Sequence, residues 1–181
     1  MLKISVEDFN GSLDREKNVR DIFFLTTKKK TFLSIEAKNS FYERWMSFYL
    51  KGIDSGVLLA INEVDQVCGY LSYCIDSKRA KFYFSHWLSY YDLFEDLYAQ
   101  YPAHLHINAH PDFQGQGVGK TLVHSLIQRL QEAGGCGLHL VTDPDANNVQ
   151  FYKKMGFLET FCRQINGQDY LFMGQRWDFK S

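Results

Sequence analysis

The chain has 181 residues, 45% of them apolar, with 20 Lys plus Arg against 21 Asp plus Glu, a formal net charge of −1 and a pI near 6.6. That length fits one domain, residues 1–181, with a full core. The balanced charge excludes the basic field that nucleic-acid or anionic-membrane binding uses, and no apolar run approaches the ~18 residues of a membrane-spanning helix.

Residues 2–6 read as an opening strand, and "DREKNVRDIFFLTT" within 13–35 is compatible with helix. The run Lys28-Lys29-Lys30 is the only basic cluster and reads as a solvated loop. Ser40 and Glu43 have capping-box spacing, and Phe41, Trp45, Phe48 and Tyr49 follow at helical spacing until Gly52. "GVLLAINEVDQVCGYLSY" reads as two strands around a polar turn at residues 63–66. The aromatic segment 81–102 predicts a helical piece near Tyr91–Tyr98; its rings serve either as core packing or as the wall of an acceptor pocket.

"HLHINAH" (104–110) alternates, with Leu105, Ile107 and Ala109 on one face and His104, His106 and Asn108 on the other. From Val118, Leu122, Leu126 and Leu130 form a 3.6-period stripe that Gly134-Gly135 stop. "GLHLVTD" (137–143) reads as a strand. "DANNVQFYKKMGF" reads as a short helix capped by Asp145 or Asn147 and stopped by Gly156. Asn166-Gly167 between two apolar runs signals a hairpin. The order strand, Gly-loop, helix, strand, helix, strand, hairpin predicts a mixed α/β sheet with a parallel βαβ unit and a C-terminal β-hairpin.

The stretch "DFQGQGVGKTLV" (112–123) is a glycine-rich loop opening a helix, a pattern suited to phosphate. A nucleoside-triphosphate loop requires G-x-x-x-x-G-K-[ST], but Gln114 stands where its first Gly belongs, and Gly115 leaves the loop one residue short. The pattern [QR]-x-x-G-x-[GA] is met in full by Gln114, Gly117 and Gly119. Glycines let the backbone approach a pyrophosphate without a Cβ in the way, and the helix dipole favours the anion.

With the loop come "HPDFQGQGVG" and "NNVQFYKKMGF", and on these residues the span from about His104 to Phe157 resembles the acetyl-CoA-binding core of the GCN5-related N-acetyltransferase superfamily. "YPAHLHIN" is also similar to acetyltransferases related to the acetyltransferase-like region of O-GlcNAc hydrolases. The resemblance implies a GNAT-like fold, acetyl-CoA as cosubstrate, no metal, and direct transfer of acetyl to an amine acceptor, either a small molecule or a peptide. Its implied cosubstrate contacts are the Ala109 amide on the thioester carbonyl; Gln114, Gly115, Gln116, Gly117, Val118, Gly119 and Lys120 around the pyrophosphate; Thr121 through its hydroxyl; and Lys153 or Lys154 at the 3′-phosphate.

At the matching position Tyr152 is the implied acid toward the departing thiolate, with packing as the competing reading. Asp145 stands where the family prefers Asn, with Asn147 and Asn148 following, which puts the usual contact to the pantetheine arm in doubt. The family often supplies Glu as base on the strand before the loop, and no acid lies between Ala99 and His110. His106 is the candidate base, His139 and Asp143 are alternates, and hydrogen-bonded sheet roles compete for His104 and His106. The other open reading is a CoA- or ligand-binding module without transfer activity. The C-terminal hairpin edge offers a surface for a homodimer.

The four cysteines are scattered without a Cys-x-x-Cys pair, and the opening "MLKISVEDFN" has acids where a targeting peptide has an apolar block. Both features predict reduced thiols and a cytoplasmic protein. No His pair with helix-face ligand spacing has a third ligand nearby, so no metal site is expected.

Overall fold

The computed structural model describes residues 2–177. In chain order the elements are β1 (Ile4–Asp8), α1 (Leu13–Thr26), α2 (Ile35–Lys51), β2 (Ser55–Asn62), β3 (Val67–Cys74), α3 (Ser77–Phe84), α4 (Tyr90–Leu93), β4 (Ala103–Ala109), α5 (Val118–Glu132), β5 (Gly137–Thr142), α6 (Val149–Lys154), β6 (Glu159–Ile165) and β7 (Gln168–Arg176). The strands form one mixed sheet in the order β1-β2-β3-β4-β5-β7-β6. This is the mixed α/β architecture that the element order predicts. The chain divides into two compact units: one runs up to Tyr73 and includes His106–Leu126, and the other takes Cys74–Leu105 and the chain from Ile127 onward.

In the first unit β1 pairs antiparallel with β2, from Ile4↔Asn62 to Asp8↔Leu58. The turn at 63–66 is held by the Asn62 side-chain oxygen, which accepts from the amides of Val64 and Gln66, and Asp65 takes φ 62° to close it. Helix α1 is capped by Ser12 and buries Val19, Ile22 and Phe23. Helix α2 starts six residues before the expected Ser40 cap. Ser34 Oγ accepts from the Ala37 amide at 3.1 Å, and no breaker stands between Ile35 and Ser40 to delay the helix. Its core face is Tyr42, Met46 and Tyr49. Each such buried side chain contributes about 1.5–3 kcal/mol.

In the second unit β4 runs parallel to β5 (Ala103↔Leu138, His104↔His139), and β5 runs antiparallel to β7. Asn166 (φ 52°) and Gly167 (φ 77°) make the predicted tight turn between β6 and β7. The helix expected at Tyr91–Tyr98 is divided: α3 and α4 are followed by a 3₁₀ turn at Glu95–Leu97. Phe84, Tyr91, Phe94, Tyr98 and Tyr101 are all buried at seven-, three- and four-residue spacing, so the apolar period reads as one helix face although the backbone is broken into pieces. Lys81 ties the pieces together through Asp92 (3.4 Å) and Glu95 (2.5 Å).

Helix α5 carries the stripe read from the sequence, with Val118, Leu122, Leu126 and Leu130 buried. The short helix α6 is preceded by Asn148, which makes no side-chain cap bond; neither Asp145 nor Asn147 caps it. The amide of Asp145 instead donates to Asp143 Oδ1 at 3.0 Å. Gly156, at φ 95°, ends the helix as expected.

Candidate active site

The loop between β4 and α5 is braced by its own side chains. Gln114 Nε2 donates to the Ala109 carbonyl (3.2 Å), and Gln116 Nε2 donates to the Asp112 carbonyl (2.7 Å). The Asp112 amide donates to His110 Nδ1 at 3.3 Å. Gly115 (φ 75°) and Gly117 (φ 93°) take left-handed backbone, and a Cβ built on either meets nothing within 4 Å. The first backbone bond into the helix is Thr121 N–H to the Gly117 carbonyl, at 3.0 Å. The amides of Gly115, Gly117, Val118, Gly119 and Lys120 therefore find no backbone acceptor among the described residues. These five donors lie in the loop and first turn of a 15-residue helix, a setting that fits a pyrophosphate.

The base of this loop is set by close packing. The His110 amide donates to the Cys68 carbonyl on β3 (2.9 Å). Strand amides alternate in direction, so the Ala109 N–H points away from β3. Gly69 is required here: an added Cβ would lie 2.7 Å from Val118 Cγ1, 2.9 Å from the Asn108 carbonyl and 3.1 Å from Ala109 Cα.

His106 meets Trp45 and Tyr49 of α2 edge to face, with centroids 6.3 and 5.9 Å away. Desolvation lowers its pKa to about 4, so the imidazole is neutral at physiological pH. Asn108 Nδ2 donates to Tyr70 Oη at 2.9 Å. Burial raises the Tyr70 phenol, and the neighbouring Tyr42 phenol reinforces the rise. Tyr42 itself is 1% exposed, and its hydroxyl has no partner among the described residues. The sequence reading missed Tyr42 and Tyr70, and the pattern of apolar spacing gives no sign of either hydroxyl.

In the second unit Tyr152 is buried against Phe151 and Phe157, with centroids at 5.1 and 5.7 Å. Desolvation pushes its phenol up, so it stays protonated. Tyr152 is 4% exposed. Asn148 Oδ1 accepts from Thr142 Oγ1 at 3.2 Å, while Asp145, Lys153 and Lys154 are exposed.

His104 and His139 are core residues. His104 is 3% exposed, and its Nδ1 lies 2.8 Å from Ser77 Oγ and 3.1 Å from Tyr91 Oη. His139 is 2% exposed, lies 2.8 Å through Nδ1 from the Tyr101 carbonyl, and stacks on Tyr98 and Phe172. Neither offers an accessible base, and the alternate Asp143 is exposed and accepts the Asp145 amide. Among the described residues no three His, Cys, Asp or Glu side chains converge as a metal site.

A model of the acetyltransferase (GNAT) family matches residues 23–157. The chain belongs to the acetyltransferase (GNAT) family. Within GNAT, it is 50% identical over 50 residues to "Uncharacterized N-acetyltransferase ycf52" of Pyropia yezoensis and 44% identical over 50 residues to its namesake in Porphyra purpurea, each match covering 28% of this chain and 28% of the relative. Among solved structures, the crystal structure of SsHAT superposes with a TM-score of 0.70 at 19% identity, over 96% of this chain and 98% of that one. That likeness places the chain in the GNAT fold.

Proposed function

We propose that this GNAT chain is an acetyl-CoA-dependent N-acetyltransferase that passes acetyl directly to an amine within a ternary complex. The observation that carries the reading is the braced loop with five partnerless amides and open space over Gly115 and Gly117. Those amides hold the pyrophosphate. Bound acetyl-CoA supplies a thioester, an activated acyl group with a fair leaving group. The Ala109 N–H polarises its carbonyl.

His106 accepts a hydrogen bond from the attacking amine and takes its proton as charge develops on nitrogen. A base with a pKa of about 4 does not deprotonate a free ammonium. The acceptor must therefore enter as the neutral amine or lose its proton to water first. The Tyr152 phenol, raised by burial, donates a hydrogen bond to the departing sulfur. Lys120, Thr121 and Lys153 add contacts to the nucleotide end, as do Asp145 and Asn148 along the pantetheine arm. Residues 1–181 are read as one acetyltransferase domain on length and element order. The cytoplasmic setting is proposed from the scattered cysteines and the acidic opening of the sequence. Among the described residues no helix is long and apolar enough to cross a membrane.

Calorimetric titration with acetyl-CoA, beside Mg-ATP, tests the loop. Micromolar binding of acetyl-CoA alone, about −8 kcal/mol, is expected. Binding of ATP alone, or of neither, rejects the reading. Turnover on a panel of amines then separates an enzyme from a binding module.

A further inference from the structure

The lysine run that reads as a solvated loop is exposed, and Lys29 within it lies against aromatic rings. Lys29 Nζ lies 5.1 Å from the Phe32 ring centroid and 5.5 Å from that of Phe41. Lys38 Nζ lies 4.4 Å from the Phe24 centroid. Lys30 Nζ donates to the Leu25 carbonyl at 2.9 Å and to the Phe24 carbonyl at 3.4 Å. Lys29, Lys30, Lys38, Phe24, Phe32 and Ser34 line an open pocket of about 480 Å³, within the size range of small-molecule sites.

An ammonium carries three donors, and a ring face satisfies none of them as a full hydrogen bond. Among the described residues no carboxylate forms an ion pair with Lys29, Lys30 or Lys38. Glu36, the acid closest in sequence, turns back to Ser34 and to its own amide, which holds its carboxyl below the usual range. The chain's own acid thus serves the start of α2, and the three ammonium groups keep donors for an anion from outside.

Helix α2 connects this pocket to His106. Lys38, Phe41, Trp45 and Tyr49 recur at three- and four-residue spacing along one face, and the last two touch the His106 ring. Seven residues separate Lys38 from Trp45, about 10 Å along the helix axis. We infer that the pocket at the start of α2 is an acceptor subsite for an anionic group. The amine that this protein acetylates carries a carboxylate or phosphate remote from the reacting nitrogen, on the side of the start of α2. This assignment rests on the acetyltransferase reading and on the place of His106 in it.

The test has two arms. In the first, protein saturated with CoA, so that the glycine loop is filled, is titrated with inorganic phosphate while the amide resonances of residues 24–38 are followed. A saturable response is expected there, at least tenfold weaker in Lys29→Gln/Lys38→Gln, with unchanged affinity for acetyl-CoA. No saturable response, or an equal one in the variant, overturns the site. If the double variant loses its thermal transition, Lys38→Gln alone takes its place. In the second arm, kcat/KM is compared for 8-aminooctanoate and its uncharged amide. At least a tenfold preference for the carboxylate is expected, falling below twofold in the variant. Equal rates, or no turnover of either amine, overturn the acceptor assignment even where phosphate binds. Failure of the wild type to bind acetyl-CoA rejects the transferase reading instead, and the phosphate titration, run without CoA, still reports on the pocket.

Discussion

The loop at 115–120 and the turn at 166–167 are both glycine-bearing, and both enter positive φ, yet they use their amides differently. At the turn, Ile165↔Gln168 closes the β6–β7 ladder directly, and the chain returns to paired strand. At the loop, five consecutive or near-consecutive amides are left without a backbone acceptor. The histidines repeat the contrast. His104 is enclosed by Ser77 and Tyr91, and His139 by two rings and a carbonyl, whereas His106 keeps part of its surface accessible beside Trp45 and Tyr49. Positive φ and ring nitrogens are common to both regions. What separates them is how far the fold encloses each group.

The largest test of that contrast is Gly117→Trp against Gly167→Ala. The tryptophan fills the open space over the loop and is expected to weaken acetyl-CoA at least 100-fold, about 2.7 kcal/mol by calorimetry. The alanine at the turn should lower stability by about 1 kcal/mol through its positive φ and leave affinity unchanged. Equal effects on affinity would erase the distinction.

Next is His104→Leu. It strips Ser77 and Tyr91 of a buried partner and is expected to cost about 2–4 kcal/mol in denaturant unfolding. The affinity for acetyl-CoA should not move. Tyr152→Phe should do the reverse, lowering kcat about 10- to 100-fold with KM changed less than twofold and little loss of stability. A kcat equal to wild type removes Tyr152 from the chemistry.

The pH dependence sharpens the histidine comparison. Desolvation lowers His106 to about 4, while in the unfolded chain it titrates near 6.5. The folded state therefore resists the proton that the unfolded state accepts, and stability falls as pH drops from 6.5 toward 4, by up to about 3 kcal/mol. His106→Asn should flatten that limb of a stability–pH curve. In the wild type, kcat/KM should rise with the ionisation of the acceptor amine and show no inflection near 6.5. The smallest effect belongs to Tyr42→Phe, which removes a buried hydroxyl that has no partner. The melting temperature is expected to hold or to rise, since no hydrogen bond is lost; a clear fall would reveal a hidden partner.

Much of this was legible in the sequence because it depends on local chemistry. Gly117 and Gly119 after Gln114 marked the loop, Asn166-Gly167 marked the hairpin, and the leucine spacing from 118 marked α5. What depends on three-dimensional surroundings was not. Ser34 and Ser40 are equally good caps by residue type, and only the continuity of α2 chooses between them. Strict alternation placed His104 and His106 on one face but carried no sign that Ser77 and Tyr91 would seal the first. Lys28, Lys29 and Lys30 are exposed, as a solvated loop requires, but nothing in the sequence said that Lys29 would lie over Phe32 and Phe41.

Gly69 has a consequence for how this sequence can change over time. Its hypothetical Cβ meets two kinds of neighbour: the Val118 side chain and the backbone of Asn108 and Ala109. A smaller residue at 118 relieves the first contact, but no substitution relieves the second, because a peptide carbonyl is the same in every residue. A smaller side chain at 118 therefore removes only part of the conflict, and position 69 is not free to grow. Lineages that descend from this chain inherit a one-way constraint at the root of the loop.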